Sequence, residues 1–153
     1  MLTSHESEED FIVHYDGLVN LTNVMGLEYD LEYLMQDACP ASRKAVLNFF
    51  PNVKILMCYF HVKKNVRENI KSTLDKAIYK KIETDLKVIH MSHNKEVFET
   101  NKAAFKKKYS KKYNEAYSYC SGWFEGIWSN WQIYCNKPGH ANTNSIIYKA
   151  LTV

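Results

Sequence analysis

The spacing of apolar residues changes along the chain, and the change predicts two structural regions. A short apolar run, EYLMQDA at residues 32–38, predicts a strand that ends at Asp37. A second run, VKILMCYF at residues 53–60, is apolar on both faces apart from Lys54, as in a strand buried inside a sheet. Between them, Pro40 and the one-sided apolar pattern of ASRKAVLNFF predict a helix. We therefore expect an α/β core of two parallel strands joined by a right-handed crossover helix.

Helical spacing dominates the rest of the sequence. Apolar residues recur every three or four positions over residues 62–89 among many lysines, and the period continues over 97–109 and 113–131. This pattern predicts that residues 62–134 are all helical. The acidic segment at residues 4–27 is expected to form the helix just before the first strand.

Composition indicates a folded chain. With 153 residues, 46% of them hydrophobic, and only 5 Gly and 3 Pro, the sequence is expected to be one domain or a piece of one, and collagen-like, linker-like and broadly disordered chains are excluded. No apolar run approaches the roughly 20 residues that span a bilayer, and the acidic start lacks the features of a signal peptide. We expect an intracellular soluble protein whose four cysteines are reduced thiols.

Charge is divided unevenly. The net charge of the chain is +3. Residues 1–42 contain nine acids and no Lys or Arg, whereas the chain from Arg43 onward carries +12. Such asymmetry indicates a polyanionic partner such as nucleic acid, although a run of charge is also typical of a solvated helix face.

Asp37 is the first candidate for chemistry. In open α/β sheets, ligands and metals bind at the carboxyl ends of the strands, where this carboxylate is expected. The alternative is that Asp37 caps the following helix, because Asp is a favoured N-cap residue.

Cys58 and His61 form a Cys-x2-His pair at the end of the second predicted strand. A thiolate and an imidazole at this spacing could face one Zn²⁺ ion. The remaining cysteines, Cys39, Cys120 and Cys135, offer no matching pair. The alternative is a buried cysteine followed by a histidine at a helix start.

Two further groups could contact nucleic acid. The tryptophans Trp123, Trp128 and Trp131 could stack on unpaired bases, or they could be part of the core. Lysines near helix starts and in a dense cluster could contact phosphates, or they could form a solvated face. These lysines are Lys63, Lys64, Lys106, Lys107, Lys108, Lys111 and Lys112.

Taken together, the segment YLMQDACPASRKAVLNFFPNVKILMCYFHVKKNV strongly resembles the core of Mutator-like element (MULE) transposases. In that family a strand ends in the second catalytic Asp and is followed by a helix, a Phe-Pro, another strand and a Cys-x2-His motif that opens a helix. Asp37 matches the second acid, Phe50 and Pro51 match the turn, and Cys58 and His61 match the Cys-x2-His motif. The resemblance continues through the helical region and the Trp-rich segment.

The resemblance implies a ribonuclease H-like fold that binds DNA and catalyses metal-dependent DNA cleavage and strand transfer. In the family, three acids hold two divalent metal ions, Mg²⁺ or Mn²⁺, and Asp37 would be a catalytic metal ligand here. Thr143 and Asn144, in HANTNS, look like a remnant of the motif that precedes the third acid. The implied organisation is a partial core over 1–72, a helical insertion over 73–135 and a remnant of the final core segment over 136–153.

Two departures from the family pattern change the expected activity. The first acid should precede Asp37 by two further strands and a helix, and Asp16 beside Gly17 lies too close to be that acid. In one alignment Tyr148 stands where the third acid is expected, and in another IIYKALTV matches the stretch beyond that acid. The acid is absent in both, because no Asp or Glu follows Glu125. One carboxylate does not hold two Mg²⁺ ions, because each needs near-octahedral coordination. We therefore expect an inactive fragment or degenerate copy.

Two other functions remain open at this stage. The chain could be a non-catalytic DNA-binding module that uses its basic helices, or a zinc-stabilised interaction module built on Cys58 and His61. A functional copy is expected in the nucleus, and it could form a homo-oligomer.

Overall fold

The computed structural model describes residues 7–136. The chain divides into two compact units, with the boundary between Ile55 and Leu56. Over the described residues no helix is long and apolar enough to cross a membrane. The expected organisation into core, insertion and remnant segments stays a prediction.

The elements from residue 8 to residue 57 follow the predicted order. Helix α1 spans Glu8–Val24, strand β1 spans Tyr33–Gln36, helix α2 spans Pro40–Phe49, and strand β2 begins at Lys54 and ends at Met57. The two strands form a two-stranded parallel sheet, in which the Lys54 amide donates to the Glu32 carbonyl at 2.9 Å. The predicted helix before β1, the first strand and the crossover helix are confirmed.

The beginning of α1 shows why it forms where it does. Ser7 is the N-cap, its hydroxyl accepts a hydrogen bond from the Asp10 amide, and the Asp10 carboxylate accepts one from the Ser7 amide. This capping box satisfies amides that the helix itself leaves unbonded. Acidic residues in the first turn also face the positive end of the helix dipole.

A small apolar core holds the first unit together. Val46, Phe50, Val53 and Ile55 are buried, and half-buried side chains of α1, including Tyr15, pack against them. The α1 helix itself contributes no buried residue. The buried core of this unit is therefore small.

The second predicted strand ends earlier than its apolar pattern suggests. Residues 53–60 were expected to be extended, whereas β2 ends at Met57 and helix α3 spans Tyr59–Ile70. The amides of His61 and Val62 both donate to the Cys58 carbonyl, at 3.0 and 3.1 Å. These hydrogen bonds turn the chain into a helix, and the prediction of a strand through Phe60 is wrong.

Helices form most of the second unit, as the periodicity predicts. After α3 come α4 at Lys76–His90, α5 at Lys95–Tyr109 and α6 at Asn114–Ser121. Helix α3 packs against α4 and α6, and α5 packs against the same two helices. Within residues 7–136 the protein is therefore mainly helical, with one two-stranded parallel sheet.

The buried face of each helix supplies the core of the second unit. Burying one large aliphatic or aromatic side chain stabilises a fold by about 1.5–3 kcal/mol. Fully or almost fully buried side chains include Val62, Val66, Ile70, Ile82, Leu86, Ile89, Phe98, Phe105, Tyr109, Cys120, Phe124 and Trp131.

The Trp-rich segment is not the continuous helix that its spacing predicts. Helix α6 ends at Ser121, and residues 122–136 contain only short 3-10 turns. Gly126 has φ of +77°, a left-handed conformation that side chains other than glycine rarely adopt. The prediction of helix through residue 134 is therefore wrong for this segment.

Candidate functional site

Asp37 lies directly after the last residue of β1, at the carboxyl end of the strand. Its side chain is half-buried. Helix α2 begins at Pro40 with Cys39 as its N-cap, and no side chain hydrogen-bonds to that helix end. The alternative in which Asp37 caps the helix is therefore wrong. Among residues 7–136 the Asp37 carboxylate has no hydrogen-bond or ion-pair partner.

Polar side chains fix the backbone on either side of Asp37. The Ser42 hydroxyl on α2 donates to Oε1 of Gln36, the last residue of β1, at 3.1 Å, and both side chains are buried. Tyr15 on α1 also meets Ser42. Burial raises the pKa of the Tyr15 hydroxyl, and the hydrogen bond with Ser42 partly opposes that effect. The loop that carries Asp37 is thus held between the end of β1 and the start of α2.

Asp16 and Gly17 lie in the middle of α1, far from any strand end in the sequence. The Asp16 carboxylate is exposed and accepts a hydrogen bond from the Asn20 side chain at 2.9 Å, one helical turn away. An acid in this position belongs to a helix face. This helical position supports the expectation that Asp16 is not the first catalytic acid, which the family places on a strand.

Cys58 and His61 come together at the start of α3. Cys58 is the N-cap residue and is completely buried, while His61 lies in the first helical turn. Nδ1 of His61 is buried without a hydrogen-bond partner among the described residues. Over residues 7–136, no group of three His, Cys, Asp or Glu side chains is placed to hold a metal ion. Zinc at this pair would need ligands from outside the described residues.

Acidic residues neutralise part of the predicted lysine cluster on α5. Lys102 pairs with Glu99 at 2.8 Å and with Glu125 at 3.3 Å. Lys108 pairs with Asp85 on α4 at 2.5 Å. These contacts tie α5 to neighbouring segments, so these two cations have structural roles.

Other predicted lysines remain open to solvent. Lys63 on α3 pairs with Glu83 at 3.2 Å, whereas Lys64 is exposed and has no acidic partner among residues 7–136. Lys112 lies over the Tyr113 ring at 5.4 Å. Four lysines of the predicted cluster are likewise exposed without an acidic partner among the described residues: Lys106, Lys107, Lys111 and Lys112.

The Trp-rich segment contributes to the core through Trp131. Its side chain is 2% exposed, and its indole N–H donates to the Trp123 carbonyl. Its carbonyl oxygen lies 2.7 Å from Nδ1 of His90, so that nitrogen carries the proton and donates. The Tyr59 ring stacks on His90 with centroids 3.8 Å apart. The core alternative is confirmed for Trp131.

Reasoning from sequence missed the role of His90. His90 is buried, and its spacing after Ile82, Leu86 and Ile89 on one face of α4 was the available signal. Thr143 and Asn144, the predicted remnant of the third-acid motif, lie outside the described residues.

Comparison with known families gives a match over most of the chain. No curated protein matches the sequence. A family model described as "Transposase, Mutator family" matches residues 4–137, which include Asp37, Cys58, His61 and the Trp-rich segment. Because that match covers most of the 153 residues, the chain belongs to the Mutator family of transposases.

Proposed function

We propose that this chain supplies the second-acid segment of a Mutator-family catalytic domain with a ribonuclease H-like arrangement. The activity of the complete domain would be metal-dependent cleavage and strand transfer of DNA. The observation that supports this role for Asp37 is its position: a half-buried carboxylate at the end of β1, outside the helix cap and without a partner among residues 7–136.

The chemistry of Asp37 suits a ligand for Mg²⁺ or Mn²⁺. Hard divalent cations prefer carboxylate oxygens, and this carboxylate is not engaged by another side chain of the described residues. Divalent ions, when bound, would activate the attacking hydroxyl and stabilise the leaving oxygen. The contribution of this chain would be one carboxylate, held by the Gln36 and Ser42 contact.

The open edge of β1 offers a place for a further acid. Among the described residues β1 pairs with β2 only. A parallel strand added to the other edge of β1 would end beside Asp37, because carboxyl ends of parallel strands meet at one edge of a sheet. An acid at the end of that strand would complete a pair of metal-binding carboxylates.

We further propose that the 153-residue polypeptide alone does not catalyse strand transfer. The described residues provide no cluster of three metal-binding side chains, and one carboxylate does not hold two divalent ions. Purified chain incubated with labelled duplex DNA and Mn²⁺ should therefore give no nicks. Metal-dependent nicking that disappears in Asp37→Ala would contradict the inactivity and support the role of Asp37.

Metal binding can be tested without activity. In amide NMR spectra, Mn²⁺ should broaden signals of residues next to Asp37, and Asp37→Asn should remove that broadening. Asp16→Asn is the matched control, because its carboxylate is exposed on α1 and should leave the broadening unchanged. Equal broadening in wild type and Asp37→Asn would contradict the metal-ligand role.

DNA binding without catalysis is the second candidate function. It is supported by exposed cations that have no acidic partner among residues 7–136, such as Lys64 and Lys107. If cations hold phosphates, affinity for duplex DNA should fall steeply as salt rises. Absent or salt-independent binding would contradict this function.

A further inference from the structure

We infer that the solvent-facing side of α3 is the surface that holds the sugar-phosphate backbone of DNA, with Phe60 contacting a base or sugar. This inference rests on the proposed function, since it takes DNA as the partner. We call this surface the α3 basic face. Its members are Phe60, Lys63, Lys64, Arg67 and Lys71.

Helical geometry aligns these side chains. Phe60, Lys64, Arg67 and Lys71 are spaced by four, three and four residues, which places them in one row along α3. At 1.5 Å per residue the row is about 16 Å long, which corresponds to about five base-pair steps of B-form DNA. Val62, Val66 and Ile70 occupy the opposite, buried side. The row is therefore long enough to follow several consecutive phosphates.

The positive charge of the row is largely uncompensated. Lys63 is engaged with Glu83, but Lys64, Arg67 and Lys71 are exposed and form no salt bridge within residues 7–136. Arg67 and Lys71 line one open groove together with the exposed Glu68, and Lys64 and Arg67 line another in which no acid of residues 7–136 takes part. Charge complementarity thus favours a polyanion along this side of the helix.

Phe60 distinguishes the α3 basic face from a merely solvated row of lysines. Its side chain is 57% exposed, and it lines the same groove as Lys63, Lys64 and Arg67. A solvated helix face gains nothing from an exposed phenyl ring among cations. On a nucleic-acid surface such a ring packs on bases, while the cations hold phosphates.

The lysine cluster at the end of α5 has a different explanation. Lys106, Lys107 and Lys108 lie in the last turn of α5, where cations stabilise the negative end of the helix dipole. Lys108 is also bound to Asp85. In α3, Arg67 also lies in the last turn and Lys71 is the C-cap, but Lys64 lies in the second turn beside the exposed Phe60, and the helix dipole accounts for neither of these two. We therefore assign DNA contact to α3 rather than to α5.

The test compares two triple variants of the full 153-residue chain. The α3 triple variant is Lys64→Ala, Arg67→Ala and Lys71→Ala. The α5 triple variant removes the same charge from exposed positions: Lys106→Ala, Lys107→Ala and Lys111→Ala. Binding to a fluorescein-labelled duplex oligonucleotide is measured by anisotropy across a salt series, and circular dichroism checks that both variants keep wild-type helicity.

The α3 triple variant should bind at least tenfold more weakly than wild type near 100 mM salt. Its plot of log affinity against log salt should be shallower by about 2–3, because each lost phosphate contact removes about 0.9 from the slope. The α5 triple variant should stay within about threefold of wild type. With the same oligonucleotide carrying a single-stranded overhang, Phe60→Ala should weaken binding about fivefold or more without a change of slope, since stacking on unpaired bases releases no counterions.

Each other result overturns the inference. If wild type binds and the α3 triple variant binds equally well, the assignment to α3 is wrong while the proposed function stands. Equal losses in both triple variants would show a general charge effect and not a defined surface. If wild type does not bind, the inference fails together with the DNA-binding candidate, and the Mn²⁺ experiment at Asp37 still tests the metal-ligand role separately.

Discussion

The unit that carries Asp37 and the helical unit beyond Leu56 differ sharply in how much they bury. Helix α1 of the first unit contributes no buried residue, whereas α4 of the second unit contributes five. The first unit also leaves large apolar side chains in water, with Val24 87% exposed and Met25 62% exposed. Exposed apolar surface of this kind is typical of interaction sites.

The two units therefore differ in what their residues contribute. The helical unit is stabilised by its own core, so its exposed cations can serve a partner without a cost to folding. The unit with Asp37 holds its candidate acid in a polar loop beside a small apolar core. The larger core and the candidate metal ligand therefore lie in different parts of the sequence.

The strongest test of this contrast is Trp131→Ala in the helical unit. Trp131 is 2% exposed and packs against the Phe124 ring, so truncation should lower the free energy of unfolding by about 3–5 kcal/mol. Urea denaturation would measure the change. Ile127→Ala is the control, because Ile127 is 55% exposed and should change stability by less than about 0.5 kcal/mol. Similar losses in both variants would contradict the assignment of Trp131 to the core.

Hydrogen exchange should reveal the contrast directly. Amides in the middle of α4 should exchange about 100-fold more slowly than those of α1, because α4 contributes five buried side chains and α1 contributes none. Mass spectrometry of peptides from residues 8–24 and 76–90 would measure both rates. Equal protection of the two helices would show that α1 is stabilised by more than its visible contacts.

Acid should weaken the helical unit through His90. Burial lowers the pKa of His90, although its hydrogen bond to the Trp131 carbonyl works in the opposite direction. A histidine with a lowered pKa stabilises the fold above its unfolded pKa of about 6.5, and that stability is lost as pH falls through the folded pKa. Urea midpoints should therefore drop from pH 7.5 to pH 5, and the drop should be smaller in His90→Gln. An unchanged drop would assign the acid sensitivity to other groups.

Asp37→Ala should have the smallest effect on stability. Asp37 neither caps α2 nor pairs with another side chain of residues 7–136, so the free energy of unfolding should change by less than about 0.5 kcal/mol. Ser7→Ala is the comparison, because loss of the α1 capping box should cost about 1 kcal/mol. A loss at Asp37 as large as that at Ser7 would indicate a structural role for the acid.

Local signals explain which elements were predictable. The Pro40 start and one-sided apolar face fix α2, and the short run before Asp37 fixes β1, because these signals depend on neighbouring residues only. The end of β2 was not predictable from pattern alone. Tyr59 and Phe60 are apolar and suit either a strand or the first turn of a helix, and the hydrogen bonds to the Cys58 carbonyl decide between them.

The candidate site was predictable in position but not in environment. Asp37 stands out because it follows an apolar strand, and the Cys58 and His61 pair stands out by spacing. The ion pair between Lys108 and Asp85 was not predictable, because Asp85 lies 23 residues away and only the packing of α5 on α4 brings the two side chains together. Phe60 was likewise hidden, since an apolar residue in an apolar run predicts burial, whereas its ring is exposed.

The backbone carbonyls of Asn130 and Trp131 determine when two hydrogen bonds of the helical unit can form during synthesis. The Met57 amide at the end of β2 donates to Asn130, and the His90 ring donates to Trp131, 41 residues further along the chain. At about 5–20 residues per second, the ribosome needs about 2–8 s to add those 41 residues. Until then the His90 ring lacks its partner, and the Met57 amide, which is made earlier, waits longer for Asn130, so a nascent chain is open to wrong pairing and to chaperone binding for longer at β2 than at His90.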